Sequence, residues 1–273
     1  MQLQGKTFFI TGASRGIGKA IALGLAKEGA NIAIVAKSVT EDPRLGGTIH
    51  TTAAEVVEAG GKALAVQCDI RDEEQVKNAV QQTIAAFGGI DGVINNASAI
   101  YLGKTEQTEA KRFDLMHDIN VRGTFLVTQH CLPYLKQAPN PHIITLSPPL
   151  DMDPKWFAFS VAYSITKFNM SMMAMGWAGE FKGAGIAANA LWPATTIATA
   201  AVKNLLGGDA LVQKSRKPEI IADCVSWIVR QPAKECTGNT FLDEEVLTKA
   251  GISNLEQYAV TPGAKLQKDL FVK

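Results

Sequence analysis

Tyr163 and Lys167 stand four residues apart in Tyr163-Ser-Ile-Thr-Lys167, within a stretch of helical apolar spacing from about 161 to 182. That spacing puts both side chains on one helix face, with Cβ atoms about 6 Å apart. A phenol ionises at about pH 10, too high for a base at neutral pH. Lowering that value by about 3 units takes roughly 4 kcal/mol of preferential stabilisation of the phenolate, much of which a nearby ammonium can supply. The pair could therefore exchange a proton with a substrate oxygen. In isolation, the same spacing also describes a half-buried tyrosine with a surface lysine.

A second feature with chemical meaning is Thr11-Gly-Ala-Ser-Arg-Gly-Ile-Gly18, set between a β-prone run and a helical one. Gly12, Gly16 and Gly18 allow tight turns and let the backbone approach a pyrophosphate with no Cβ in the way. The helix starting near Gly16 offers free N–H groups and a partial positive charge to phosphates. Contacts to a dinucleotide are expected from Gly12, Ser14, Arg15, Gly16, Ile17 and Gly18. Next to such a cofactor, Tyr163 reads as the acid/base for hydride transfer between nicotinamide and a carbonyl, with Lys167 tuning it.

Dinucleotide folds that take NAD place an acid at the end of the second strand for the ribose 2′-hydroxyl. Here that place reads Ala36-Lys37-Ser38, with no acid. Lys37 would attract a 2′-phosphate and Arg15 could add a second positive charge, so NADP is expected in preference to NAD. Either residue could instead be an ordinary solvated charge.

These groups need a scaffold, and the hydrophobic pattern describes one. Buried β-prone runs at 6–11, 31–36, 62–68, 92–95, 142–147 and 186–192, with a short one at 241–243, alternate with helical stretches. The helices fall at 16–28, about 51–59, about 72–87, 108 to about 137, and about 161–182, with Gly60-Gly61 stopping the second. This alternation predicts an α/β fold: a Rossmann-type, doubly wound parallel sheet in a single domain. The stretch 37–47 reads as an exposed loop. The domain is expected over 1–243, with 244–273 a C-terminal extension packed on it, its path unspecified by any strong periodicity.

The spacing G-x-x-x-G-x-G, opening Thr-Gly, resembles the short-chain dehydrogenase/reductase family. Asn95-Asn-Ala97, Asn120-Val-Arg-Gly123 and Tyr163-Ser-Ile-Thr-Lys167 extend the resemblance over about residues 5–243. It implies an NAD(P)-linked oxidoreductase acting on CH–OH groups. It also implies that Asp69 meets the adenine edge, Asn96 the adenosine ribose, and Lys167 the nicotinamide ribose, while Asn120 holds a water that relays protons to Lys167. Pro193, Ile197 and Thr199 would close over the nicotinamide. The helices of 108–130 and after Tyr163 would build a homodimer or homotetramer. On their own, Asp69 could cap a helix or turn, Asn120 could bond local backbone, and 195–199 could be a plain loop.

The chain departs from the family at the catalytic serine. Members commonly end strand five with Ser-Ser, the second serine bonding the substrate oxygen, but this chain reads Ser147-Pro148-Pro149. Proline has no hydroxyl and no N–H, so Ser147 is the remaining candidate, the alternative being that it merely caps the strand. Ala194 replaces the usual glycine of the loop after strand six. Ser147-Pro-Pro-Leu150, Asn95-Asn-Ala-Ser-Ala-Ile100, Ala190-Leu-Trp-Pro193 and Tyr258-Ala-Val-Thr-Pro-Gly263 resemble the hydroxysteroid dehydrogenase-like subfamily, here as a dehydrogenase domain with no sterol-carrier domain.

Composition narrows the remaining classes. The 273 residues are 47% hydrophobic and 19% charged, with 27 Lys+Arg against 26 Asp+Glu, which excludes a disordered chain. A net charge of +1 gives no general attraction to nucleic acid or anionic membrane. No apolar stretch reaches the ~18–20 residues of a membrane span, and the first thirty residues do not read as a signal peptide. The dispersed Cys68, Cys131, Cys224 and Cys236 suit a reducing cytoplasm, and no His/Cys/carboxylate set has metal-ligand spacing. If Trp156, Phe157, Phe159, Leu205 and Leu206 face the cleft, the small-molecule substrate is apolar or lipid-like. Two rival classes are a catalytically weak dinucleotide-binding regulator and an enoyl-type C=C reductase.

Overall fold

The computed structural model describes residues 2–273, with the side chain of Leu205 outside the description; the expectation for Leu205 falls there. Seven strands, β1 (Thr7–Thr11), β2 (Asn31–Ala36), β3 (Lys62–Gln67), β4 (Gly92–Asn95), β5 (His142–Leu146), β6 (Ala187–Trp192) and β7 (Thr240–Leu242), form one parallel sheet. Its order is β3-β2-β1-β4-β5-β6-β7. Every residue of β1, β2, β4, β5 and β6 is buried, as expected of strands covered on both faces.

The helices are α1 (Gly16–Lys27), α2 (Ile49–Glu58), α3 (Glu73–Phe87), α4 (Ala110–Met116), α5 (Thr124–Leu135), α6 (Lys155–Ala158), α7 (Val161–Glu180), α8 (Gly208–Val212), α9 (Glu219–Arg230) and α10 (Asp243–Lys249). Strand side chains alternate between the two layers. Phe8, Ile10, Ile32 and Ile34 pack with Leu25 of α1 and Val225 of α9, whereas Phe9, Ala33 and Val35 pack with Val80 of α3 and Val127 of α5. After β3 the chain returns to place β4 beside β1. This reversal leaves a crevice at the strand ends that follow β1 and β4, the position where doubly wound sheets bind ligands. Gly12 and Asn96 sit at its two lips.

Two features depart from the sequence expectations. The helix expected over 108–137 is split by a wide turn at His117–Gly123 with π-type hydrogen bonding. The helix α9 was not expected, although its apolar residues at 220, 221, 224, 225 and 228 repeat with helical spacing. Residues 243–273 form α10 and then an irregular path, with Val246, Leu247 and Tyr258 in the main core.

The start of β5 carries a pH-sensitive element. His142 is fully buried, its Nε2 lies 3.0 Å from the Gln231 carbonyl oxygen, and burial pushes its pKa from 6.5 down to about 4. Between about pH 6.5 and pH 4 the unfolded chain takes up a proton that the folded chain refuses. Stability should fall across that window on acidification, by up to about 3 kcal/mol. In urea unfolding at about pH 7 and pH 4.5, His142→Gln should lose less stability than the wild type; equal losses would remove His142 as the cause.

Candidate active site

The glycine turn is built from sterics. Gly12 and Gly16 have φ of +65° and +56°, the left-handed region that side chains disfavour. A Cβ on Gly18 would lie 2.6 Å from the Gly12 carbonyl oxygen and 2.5 Å from Asn96 Nδ2, so only glycine fits. Asn96 Nδ2 donates to the carbonyls of Thr11 (2.9 Å) and Gly12 (3.1 Å), fixing the turn from the β4 side. Helix α2 is capped by Thr48 and α3 by Asp72, but α1 has no side-chain cap and no acid in its first turn. Its first N–H groups are therefore left for another acceptor, which suits a phosphate.

An open cavity of about 520 Å³ lies over this turn. It is lined by Gly12, Ser14, Arg15, Gly16 and Ile17 of the turn, Lys37 and Ser38 after β2, Asp69 after β3, Asn96 after β4, and Thr199 after β6. Gly18 lies buried beneath it. Arg15 Nη2 donates to Ser38 Oγ (2.6 Å), while its Nε is buried with no partner among the described residues. Asp69 accepts from Arg71 Nε at 2.9 and 3.0 Å, and the Arg71 guanidinium beside it holds its carboxyl below the usual range. The loop 37–47 comes down onto the turn, where a Cβ on Gly47 would lie 2.4 Å from the Ser14 carbonyl oxygen.

After β6, the backbone around Ile197 alternates. Ala198 N donates to the Arg216 carbonyl and Arg216 N to the Thr196 carbonyl, while the N–H and C=O of Ile197 take no backbone partner among the described residues. A primary carboxamide could take both. Pro193 and Ile197 are buried, Thr199 reaches the cavity, and Ala194 N donates to Asp243 Oδ1 (2.9 Å). Together, the uncapped helix, the Cβ-free cradle and this unpaired strip fit a nicotinamide dinucleotide.

Tyr163 and Lys167 lie on α7 with 4% and 2% of their surface exposed, and neither lines the open cavity. Lys167 Nζ donates to the Leu146 carbonyl (2.6 Å) and stands 4.9 Å above the Trp192 ring. The Tyr163 hydroxyl has no hydrogen-bond partner among the described residues. Burial pushes the phenol well up and brings Lys167 down to about 7, with Asp269 acting against the second shift. Desolvation favours the neutral form of both groups, and Lys167 Nζ faces the Leu146 carbonyl, the Met170 sulfur and the Trp192 ring, with the buried Asp269 favouring its charged form.

Asn120 stands in the wide turn and is fully buried. Its Nδ2 donates to the Ala99 carbonyl (2.9 Å) and Thr166 Oγ1 (3.0 Å), and its Oδ1 accepts from Ala99 N (2.7 Å). Both amide hydrogens are engaged, so its side chain ties the exit of β4 to α7. Ser147 is buried with an unpartnered Oγ among the described residues, and Ser171 Oγ pins the neighbouring Pro148 carbonyl at 2.6 Å.

The segment 267–273, which carries no periodic hydrophobic pattern, packs over Tyr163. Phe271 packs between Trp156, Phe159, Tyr163, Phe168 and Trp192, and Asp269 N donates to the Ala194 carbonyl (3.1 Å).

The family model of the short chain dehydrogenases matches residues 6–208. Hydroxysteroid dehydrogenase-like protein 2 from Bos taurus is 52% identical over 271 residues, which is 99% of this chain and 64% of that protein. The chain thus spans less than two thirds of this relative's length. A crystal structure of a proposed dehydrogenase from Xanthomonas campestris superposes with a TM-score of 0.97 at 51% identity, covering 100% of both chains. A short chain dehydrogenase from Mycobacterium thermoresistibile gives 0.94 at 52% identity, over 99% of this chain and 96% of that one.

Proposed function

The chain belongs to the short-chain dehydrogenase family of NAD(P)-binding oxidoreductases, and from that premise we propose that it interconverts an alcohol and a carbonyl on an apolar small molecule, with NADP(H) as its coenzyme. The reading is carried by one observation: Tyr163 and Lys167 lie on α7, which Asn120 ties through Thr166 to Ala99 in the lining of a glycine-floored cavity where the strand order reverses.

The bound dinucleotide would supply or accept the hydride. Gly12 to Gly18 and the N-terminus of α1 hold its pyrophosphate, Asp69 and Asn96 its adenosine, and Ile197 and Thr199 its carboxamide. Arg15 and Lys37 receive the 2′-phosphate. Tyr163 Oη exchanges the proton with the substrate oxygen, Lys167 stabilises the phenolate and binds the nicotinamide ribose, and Asn120 positions the backbone beside them. Ser147 assists only if the Pro148-Pro149 segment lets its hydroxyl turn toward the substrate. The aromatic residues around Tyr163 favour an apolar substrate. Exposed Phe125, Met172 and Met175 on α5 and α7 support a homo-oligomer built through those helices. Four free, buried cysteines suit a reducing compartment such as the cytoplasm.

NADPH and NADH oxidation measured across a panel of apolar aldehydes and ketones tests this function. Lys37→Glu should reduce the NADPH-over-NADH ratio of kcat/KM by about tenfold or more, since a carboxylate there repels the 2′-phosphate. An unchanged ratio would remove Lys37 from the coenzyme site. The covered Tyr163 and the Pro148 substitution favour one second reading, a dinucleotide-binding regulator, which would bind NADPH tightly and turn over no member of the panel.

A further inference from the structure

Tyr163 does not line the open cavity over the glycine turn, and the ring of Phe271, from the same chain, packs beside its own. Phe271, 3% exposed, sets its ring centroid 6.3 Å from that of Tyr163, 5.2 Å from Phe168, 5.5 Å from Phe159 and 6.0 Å from Trp192. It is also the one non-glycine residue with positive φ among the described residues, at +68°. A bulky side chain in that region is strained, and such strain persists where packing overrides the backbone preference.

The segment is held by main-chain bonds to the loop after β6. Thr196 N donates to the Gln267 carbonyl (2.9 Å), Asp269 N to the Ala194 carbonyl (3.1 Å), and Trp192 Nε1 to the Leu270 carbonyl (2.8 Å). Lys273 Nζ pairs with Asp151 Oδ2 at 3.2 Å, and Lys268 Nζ donates to the Lys273 carbonyl.

We propose that Phe271 occupies the place of the substrate's own apolar group: residues 267–273 form a plug that must swing away for a carbonyl compound to reach Tyr163, and the aromatic cage it leaves behind selects substrates with an aryl or similarly sized apolar group beside the carbonyl. This rests on the alcohol–carbonyl reading of the site. Three features support a plug over a permanent wall. The ring belongs to an irregular segment rather than to a helix or strand. Its backbone strain offsets part of what burial gains. It also rides on the same loop that carries Ile197 and Thr199, so coenzyme contacts there would be felt by the plug. Departure of the ring would open the Tyr163 ring face that Phe271 now covers.

The test uses the full chain as wild type, Phe271→Ala and Phe271→Gly, each saturated with NADP+ and titrated with 2-naphthaldehyde, with tryptophan fluorescence quenching as the readout. Both variants should bind the probe about tenfold tighter than wild type, the factor expected when a site open about a tenth of the time becomes permanently open. In the wild type, the probe should speed hydrogen exchange of the Asp269 and Leu270 amides, a measurement that does not depend on the variants folding. Equal or weaker binding in both variants, no binding to any of the three proteins, or slower exchange at 269–270 would each overturn the plug. Turnover separates the two readings. Failure of these signs with NADPH-dependent reduction intact sinks the plug alone. Tighter probe binding without turnover in any of the three keeps the plug as a ligand gate and sinks the oxidoreductase reading.

Discussion

Tyr163→Phe should lower kcat for NADPH-dependent carbonyl reduction by about a thousandfold while leaving the Kd for NADPH within about twofold. General acid–base groups typically contribute 10²–10⁴ in rate, and this substitution removes only the hydroxyl. The ring stays in its aromatic cluster with Phe271 and Phe168. Because the hydroxyl has no partner among the described residues, its removal should be neutral or slightly stabilising for the fold, since no hydrogen bond is lost. Steady-state rates, coenzyme binding and thermal unfolding of the same preparation together separate chemistry from structure. A variant with normal turnover would remove the phenol from the reaction. A variant that has lost both turnover and fold would point to a packing role.

Lys167→Met should cost about a hundredfold in kcat and about tenfold in coenzyme affinity, and it should also change how stability depends on pH. The methionine fills a similar volume beneath Trp192 but gives up the bond from Nζ to the Leu146 carbonyl. Burial brings Lys167 from 10.5 to about 7. Between those values the unfolded chain carries a proton that the folded chain lacks, so wild-type stability rises with pH across the window. Below about pH 7 both states are protonated and the penalty is fully present. Lys167→Met should be more stable than wild type at pH 7 and lose that advantage by about pH 10. Denaturant unfolding at intervals of pH measures this directly. Parallel curves for the two proteins would mean that Lys167 is charged and hydrated in the folded state.

The sheet was legible because its strands are buried on both faces and so read as short apolar runs between helical ones. The phosphate turn was legible for a steric reason: Gly12 and Gly18 stand where a Cβ would strike Asn96 or the Gly12 carbonyl. The wide turn at His117–Gly123 was not, since one extra residue in a helical ladder leaves the hydrophobic spacing on either side nearly unchanged. The loop 37–47 reads as exposed from its polar composition, yet Gly47 packs against the turn and Leu45 lines the cavity. The covering of Tyr163 depends on contacts between residue 271 and residues 156–192, a separation that local pattern cannot reveal. Burial in that cluster pushes the phenol up. The spacing Tyr163-x-x-x-Lys167 shows the lysine but not the aromatic cluster that buries the tyrosine.

The most direct measurement is a crystal structure of the chain with NADP+ bound. The nicotinamide ribose should lie within hydrogen-bond distance of Lys167 Nζ, the 2′-phosphate between Arg15 and Lys37, and the Tyr163 hydroxyl should face the nicotinamide ring. A dinucleotide seated on Gly12–Gly18 with residues 163 and 167 both turned away from its nicotinamide would contradict the assigned chemistry and leave a nucleotide-binding protein without a catalytic pair.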